Sequence, residues 1–397
     1  MKHHIVVLGA GYAGAYAAGN LARGLSPADT AITVVNAEPD FVERLRLHQL
    51  AAGRTLASKK LADVFAGTAI GLRVARVTAL DPDRRTVTVA DSGGGAELGY
   101  DTLLYTLGSH VADHGVAGVR EHAFNVAARP SALRLRDRLD ALGTAGKALI
   151  VGDGLTGIET ATELAESRPG LSVTLLARGE LGARLSLRAR GHLRRACTRL
   201  GVTVVEHAEV TAVEADRVRC ADGSVHACDA TVWAAGFTVG PIAAAGGLDV
   251  TADGRIIVDR VMRSVSHEDV YAAGDSVHAI GDNGLPMPMS CGSAGYTARQ
   301  AVNAIMGRLT GGRIDETALA YSGNHITLGR RDAILQSVDA QARATPRYVG
   351  GRAAALVKEG INRVSLWTVS HPTFGLPTRT RRTTQEQPVA GAGGVSA

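Results

Sequence analysis

The residues able to do chemistry gather around two glycine triplets. Gly9, Gly11 and Gly14 lie in IVVLGAGYAG (5–14), and Gly152, Gly154 and Gly157 lie in ALIVGDGLTG (148–157). In such a triplet the first glycine makes the tight turn off a strand, the second lets backbone approach a pyrophosphate, and the third packs helix on strand. The N–H groups that open the following helix then hold the phosphates. With 48 glycines in 397 residues, about 0.7 chance matches to this spacing are expected, so context decides. Both triplets follow an apolar strand pattern and precede an Ala-rich helical stretch, which points to two dinucleotide sites. A third segment, FVERLRLHQLAAG (41–53), places Arg44, Arg46, His48 and Gln49 around the helically spaced Leu45, Leu47 and Leu50. It is polar where a plain core helix need not be, and imidazole titrates near neutral pH. The four cysteines, Cys197, Cys220, Cys228 and Cys291, have no CxxC or metal-ligand spacing. No metal site and no disulfide framework is expected, and a reducing cytoplasm fits this usage.

Positioning these residues requires two β-α-β units. The first predicts strand 5–9, a helix to about residue 24, and strand 31–36, which ends near Glu38-Pro39. Runs 72–80 and 86–90, joined at 81–83 and closed by Gly93, Gly94 and Gly95, read as an inserted antiparallel ribbon. Strand 102–107 ends at Gly108-Ser109, and helix 131–142 leads to the second triplet. The second unit runs from 148 to about 228, with strand 171–177 and edge strands near 202–205, 210–213 and 218–219. From Ala230 the features turn back to the first unit: TVWAAG (231–236), the run 254–275, and an Ala-rich helix at 293–306. The expected class is α/β, with two nested Rossmann-like domains and a small α+β C-terminal domain. The boundaries are 1–115 and 235–311 for the first domain, 116–234 for the second, 312–378 for the last, and a disordered tail at 379–397.

At 45% hydrophobic and 20% charged, the composition is that of an ordinary globular protein. The net charge of +5 rests almost wholly on arginine, since Lys2, Lys59, Lys60, Lys147 and Lys358 are the lysines. No arginine cluster is interleaved with aromatics, which argues against a nucleic-acid partner. The first apolar run merges into a glycine turn and the uncharged run 230–248 is broken by glycine and proline, so neither a cleavable signal nor an integral membrane segment is expected. Apolar positions along 353–367 are assigned to core or dimer contact ahead of a membrane surface.

The set GAGYAG, YDTLLYTLGS, VGDGLTGIE, VWAAGF and VYAAGD, followed by the Ala-rich helix, resembles the FAD- and NAD(P)H-dependent pyridine nucleotide-disulfide oxidoreductase superfamily over nearly the whole chain. Within it, RLHQLAAG (46–53) and YSGNHITLGRRDAI (321–334) look like the type II NADH dehydrogenases and their soluble relatives. The resemblance implies that Gly9, Gly11, Gly14 and Asp275 hold FAD, with Gly108 and Gly274 in the same motifs. It implies that Gly152, Gly154 and Gly157 hold the nicotinamide nucleotide, with Gly236 in VWAAGF beside it. Glu159 matches a family glutamate near nicotinamide and flavin. Two departures stand out. The usual FAD-strand carboxylate is Asn36, so ribose binding falls to this amide or to Glu38. At the second strand end stands Ala177 followed by Arg178, which favours NADPH slightly, against Asp153 and Glu180 nearby.

The superfamily's disulfide reductases carry a Cys-x4-Cys relay in the region 44–53, and this chain has no cysteine there. The expected cycle is hydride transfer from NAD(P)H to FAD, then two electrons to a quinone-like or aromatic small molecule. His48 is the candidate for acceptor-side protonation or orientation. Arg44 and Arg46 bind an anion or form a solvated face. Cys291 reads as a small buried residue rather than a redox group. A ferredoxin-type protein reductase, a tailoring enzyme for a polycyclic metabolite, and a non-catalytic redox-sensing flavoprotein stay open as alternatives. A dimer through the last domain is common among relatives, and oligomeric state is otherwise undetermined.

Overall fold

The computed structural model describes residues 1–375 and 380–384. Strand β1 (His3–Leu8) is followed by helix α1 (Tyr12–Gly24) and strand β2 (Thr30–Asn36), and β2 pairs parallel to β1. Ile5, Val6, Val7 and Leu8 are all buried. A continuous apolar run is what a strand covered on both faces requires. A one-turn 3₁₀ segment (Arg44–Arg46) then runs into the short helix α2 (Leu47–Ala51). The run 72–80 is two strands rather than one. β3 (Ile70–Val74) joins the parallel sheet beside β2, and the chain then turns into Arg76–Asp81, the first strand of a three-stranded antiparallel sheet with Thr86–Asp91 and Gly94–Gly99. No glycine or proline marks that turn, and the triple glycine opens the third strand instead of closing the ribbon. β4 (Thr102–Tyr105) pairs with the other edge of β1.

Helix α3 (Arg129–Leu142) introduces the second unit: β5 (Lys147–Val151), α4 (Leu155–Ser167) and β6 (Ser172–Leu176). Helix α5 (Leu187–Leu200) has no counterpart in the sequence reading, because its arginines obscure the buried stripe of Ala189, Leu193, Ala196 and Cys197. β7 (Thr203–Val205) is the edge of this parallel sheet, whereas Val210–Val213 and Arg217–Cys220 belong to a separate antiparallel sheet with Val225–Ala227. β8 (Ala230–Trp233) pairs with β5. The return to the first unit therefore begins after Trp233 rather than at Ala230. β9 (Val270–Ala272) then pairs with β4, giving first-sheet order β9-β4-β1-β2-β3. The strand order reverses between β1 and β4, the switch point where open α/β sheets bind ligands at their carboxyl ends.

Helix α6 (Cys291–Thr310) packs on α1. The last part of the chain is a three-stranded antiparallel sheet (Gly323–Thr327, Ala333–Val338, Ala344–Gly350) followed by helix α7 (Gly351–Ser370). Leu356, Val357, Ile361, Val364 and Trp367 of α7 are exposed, so the core assignment fails for this face. Residues 380–384 are also placed, contrary to a disordered tail. Arg381 N–H donates to Gly24 O at 2.9 Å, and Arg382 pairs with Asp29 at 3.1 Å. The remainder of the tail lies outside the described residues.

Candidate active site

Each glycine triplet shows one geometry. Gly9 (φ +95°) could not carry a Cβ, which would stand 2.5 Å from Thr106 O, and a Cβ on Gly14 would stand 1.9 Å from Gly9 O. Gly152 (φ +109°) and Gly157 repeat this, with a Cβ 2.6 Å from Ala234 O and 1.8 Å from Gly152 O. The middle glycines differ: a Cβ on Gly11 or Gly154 would meet no protein atom within 4 Å. Nothing in the chain fills the space beside them, which leaves the backbone open to close approach from outside. Gly11 and Gly154 are also the N-caps of α1 and α4, and neither helix start has a side-chain cap or an acidic residue in its first turn. Their first N–H groups have no side-chain cap, as is also so at the starts of α3 and α7, whereas α5 and α6 are capped by Ser186 and Ser290; what sets α1 and α4 apart is the open glycine turn that precedes each.

Around the first cradle, Asn36 is engaged within the chain. Its Oδ1 accepts the Ala10 N–H at 2.8 Å and its Nδ2 donates to Glu38 O at 2.7 Å, so it braces the glycine turn. The Glu38 side chain is exposed, and its carboxylate makes no hydrogen bond or ion pair among the described residues. Asp275 follows Gly274, whose N–H donates to Thr297 Oγ1 at 3.0 Å. Asp275 accepts from Ser109 Oγ at 2.7 Å and lies 3.7 Å from Arg44, while Gly108 N–H donates to Ser276 Oγ at 2.9 Å. Arg44 also donates to Ser109 O and stacks 4.8 Å over the Phe237 ring. Arg46 is buried and paired with Glu43 at 3.0 Å and Glu359 at 2.7 Å. Both arginines are thus engaged internally, and neither forms a solvated face. Tyr12, missed in the sequence reading although it sits inside the first triplet, buries its hydroxyl near the Leu45 backbone. Burial pushes its pKa far up, with Cys291 and Glu43 adding to the shift.

Between the units lies a second cluster. Glu159 Oε1, on the first turns of α4, accepts from Thr327 N and Thr327 Oγ1, both at 3.0 Å, and sits 3.7 Å from Lys358 Nζ. Lys358 on α7 also donates to His325 O at 3.0 Å, and both side chains of the pair are only 12–13% exposed. Lys358 was not singled out in the sequence. Its signal was a lone lysine in an apolar helix of a chain with five lysines. His48 is buried on α2, with Nε2 unpartnered among the described residues. Desolvation lowers its pKa against the opposing pull of Glu159 and Glu163. Burial thus disfavours its charged form relative to a free imidazole. His325 is lowered for the same first reason. Cys291 opens α6, and burial pushes its thiol up to about 11, so it is not a thiolate at neutral pH. Gly236 (φ +128°) follows β8 at the carboxyl end of the second sheet. Arg178, just past β6, is exposed. Among the described residues no group of His, Cys, Asp and Glu could hold a metal ion, and no helix is long and apolar enough to cross a membrane.

Two open glycine cradles on nested parallel sheets are matched by a family model described as pyridine nucleotide-disulphide oxidoreductase, over residues 3–306. The chain belongs to that family. It is similar to the NADH dehydrogenase-like protein MT1860 of Mycobacterium tuberculosis, 32% identical over 72% of this chain and 76% of that protein. It is also similar to the type II NADH:quinone oxidoreductase NdhA of the same organism, 25% identical over 72% and 68%. Among solved structures, NDH2 from Plasmodium falciparum in complex with NADH superposes with a TM-score of 0.79 at 13% identity, covering 94% of this chain and 96% of that one. An NAD-dependent persulfide reductase from A. fulgidus gives 0.74 at 24%, and this chain (85% covered) spans 64% of its length. An engineered water-forming NADPH oxidase bound to NADPH gives 0.69 at 20%, covering 84% and 75%. Its substitutions turn an adjacent Asp-Ala into Ala-Arg, and a proline six positions past that new arginine into Arg. Family membership makes the chain an NAD(P)H oxidoreductase, with FAD and NAD(P)H as the cofactors its two cradles fit.

Proposed function

We propose that this oxidoreductase takes a hydride from NAD(P)H at the Gly152–Gly157 cradle, holds FAD at the Gly9–Gly14 cradle, and delivers two electrons to a quinone-like small molecule without a redox-active disulfide. The observation that carries the reading is the repeated cradle, open at Gly11 and at Gly154 and uncapped in both places. FAD, when bound, supplies the hydride acceptance and onward electron transfer that no side chain here can perform. The uncapped starts of α1 and α4 hold the pyrophosphates, and Glu38 takes the ribose hydroxyls of FAD in place of Asn36. Gly108, Gly274 and Asp275 line the remaining length of FAD, with Ser109 and Arg44 fixing the Asp275 carboxylate. Gly236 leaves room at the end of β8 for the nicotinamide nucleotide.

Reduction of a quinone needs two electrons and two protons, of which the hydride brings one proton and solvent the other. Lys358, hydrogen-bonded to His325 O and paired with Glu159, holds the solvent-derived proton at Nζ and passes it to the acceptor. His48, whose charged form burial disfavours, orients rather than protonates. The name of NdhA, a quinone oxidoreductase, supports the acceptor class. The engineered oxidase supports NADPH, because the Ala-Arg and Arg that its substitutions create have the order and spacing of Ala177, Arg178 and Arg184 here. A cytoplasmic location and a homodimer through α7 belong to the same proposal, and sedimentation with and without lipid vesicles tests both.

The deciding experiment is an anaerobic titration of the purified protein with NADPH and with NADH, following flavin absorbance, then addition of a soluble quinone. Bleaching followed by quinone-dependent recovery is expected. Bound flavin that neither nucleotide bleaches would refute the hydride-donor site, and bleaching without recovery on quinone would refute the acceptor.

A further inference from the structure

Strand Gly323–Thr327 is an edge of the C-terminal sheet, because Ala333–Val338 pairs with one side of it and no other described strand pairs with the second side. Backbone groups on a free edge must find partners outside the sheet. Here they meet the two charges of the cluster between the units. His325 O accepts from Lys358 Nζ at 3.0 Å, and two residues on, Thr327 N–H donates to Glu159 Oε1 at 3.0 Å. Alternate residues of an antiparallel edge turn their N–H and C=O groups the same way. One strand edge therefore holds both the lysine of α7 and the carboxylate of α4.

Thr327 adds its side chain to this arrangement. Its Oγ1 donates to the same Glu159 oxygen, again at 3.0 Å, and its carbonyl accepts from Thr162 Oγ1 of α4 at 3.4 Å. A carboxylate oxygen has two lone-pair sites, and on Oε1 both are taken by Thr327. Lys358 Nζ stands 3.7 Å from that oxygen, an ion pair beyond hydrogen-bond distance. Of its three N–H donors one is used on His325 O, and the other two have no acceptor among the described residues. A lysine bonded directly to Glu159 would have one donor fewer to offer.

We infer that Thr327 is a positioning residue for reduction of the acceptor. By filling both lone pairs of Glu159 Oε1 it keeps the carboxylate from drawing Lys358 into a direct hydrogen bond, and so leaves the ammonium free to face the acceptor. The inference rests on the reading of Lys358 as the proton donor. The Thr327 N–H fixes where Glu159 lies, and the hydroxyl decides what Oε1 can still accept. Without the hydroxyl one lone pair falls vacant, Nζ closes on it, and the charge-assisted bond holds the proton away from the acceptor.

The test is stopped-flow reoxidation by a soluble quinone of the purified flavoprotein, its flavin reduced beforehand with dithionite. Thr327→Ser and Thr327→Ala both lose the methyl group and only the second loses the hydroxyl, so a packing defect cannot imitate the effect. Reoxidation is expected to slow at least about tenfold in Thr327→Ala, the size of one hydrogen bond to a charged group, and to stay within about twofold of wild type in Thr327→Ser. In a Glu159→Gln background, where no charge draws Nζ in, Thr327→Ala should cost no more than about a further twofold. Equal rates in the Ser and Ala variants, or an undiminished loss on top of Glu159→Gln, overturns the role given to Thr327. Lys358→Met separates the two levels of the argument. A wild-type rate in Lys358→Met refutes the proton-donor reading, whereas a slow Lys358→Met beside a fast Thr327→Ala refutes the positioning role alone.

Discussion

Substituting alanine at the second and third glycines of the same turn separates ligand binding from folding. At Gly154 the backbone (φ −68°, ψ 175°) is one that alanine adopts, and a new methyl meets no protein atom within 4 Å. Losing glycine from the N-cap costs about 0.5–1 kcal/mol, and the stiffer unfolded chain returns a similar amount, so stability should stay within about 1 kcal/mol of wild type. The methyl occupies the space a pyrophosphate needs. Displacing one or two charge-assisted hydrogen bonds from backbone N–H groups corresponds to about tenfold to a hundredfold in the KM for NAD(P)H. At Gly157 the methyl would stand 1.8 Å from Gly152 O, where ordinary contact begins at 3.4 Å, so helix and turn must part by the difference of 1.6 Å. Overpacking of this size costs about 1–3 kcal/mol or more. Thermal unfolding, flavin content and stopped-flow flavin reduction, measured on both variants, read the two effects apart. Gly154→Ala should keep flavin and unfolding temperature and lose nucleotide affinity, and Gly157→Ala should unfold several degrees lower. A Gly154→Ala protein with wild-type KM would refute the argument that the open glycine exists for a ligand.

Lys358→Met should slow reoxidation by a soluble quinone by about a hundredfold while leaving NAD(P)H-driven bleaching intact, as expected when a positioned proton donor is lost. Equal rates in both half-reactions would remove Lys358 from proton delivery. Arg46→Met leaves the buried Glu43 without its cation, while Glu359 keeps Arg363 at 2.9 Å, and urea unfolding should show a loss of about 3 kcal/mol. Adding Glu43→Gln should recover part of that loss, and no recovery would assign it to packing. His48 has a folded pKa below its ordinary value of 6.5, so the unfolded chain binds the proton first as pH falls, and stability is lost on going below about 6.5. His48→Gln should flatten the difference in urea midpoint between about pH 7.5 and pH 5, and an unchanged difference would place the acid sensitivity elsewhere, for example at His325, which shifts the same way.

The parallel units were legible because their signals are local. An apolar strand, a glycine triplet and an Ala-rich helix are contiguous, and the three glycines read the same in sequence and in space. What was hidden depends on contacts between distant segments. Asn36 looks like a ribose ligand until its amide is seen bonded on both sides, to Ala10 N and Glu38 O. Arg44 and Arg46 look like a free basic face until Asp275, 231 positions on by numbering (275 − 44), and Glu359 are found against them. His48 carries the imidazole expected near neutrality, but burial, which the sequence of a five-residue helix does not reveal, moves its pKa. The turn between Ile70–Val74 and Arg76–Asp81 lacks glycine and proline, so a change of sheet passed as one strand.

The same distinction explains how one backbone serves two nucleotides. The hydrogen bonds from Gly9 to Val35 and from Gly152 to Leu176 fix an identical frame, and the glycines within each frame answer to the pyrophosphate that both ligands share. Nothing in that frame can tell FAD from a nicotinamide nucleotide. Discrimination falls to the residues just past the second strand, where backbone geometry is already satisfied and side chains are free to vary. On the proposed reading, the carboxylate of Glu38 at one strand end and the guanidinium of Arg178 at the other distinguish the two sites, while Gly11 and Gly154 leave the backbone open to a pyrophosphate in both.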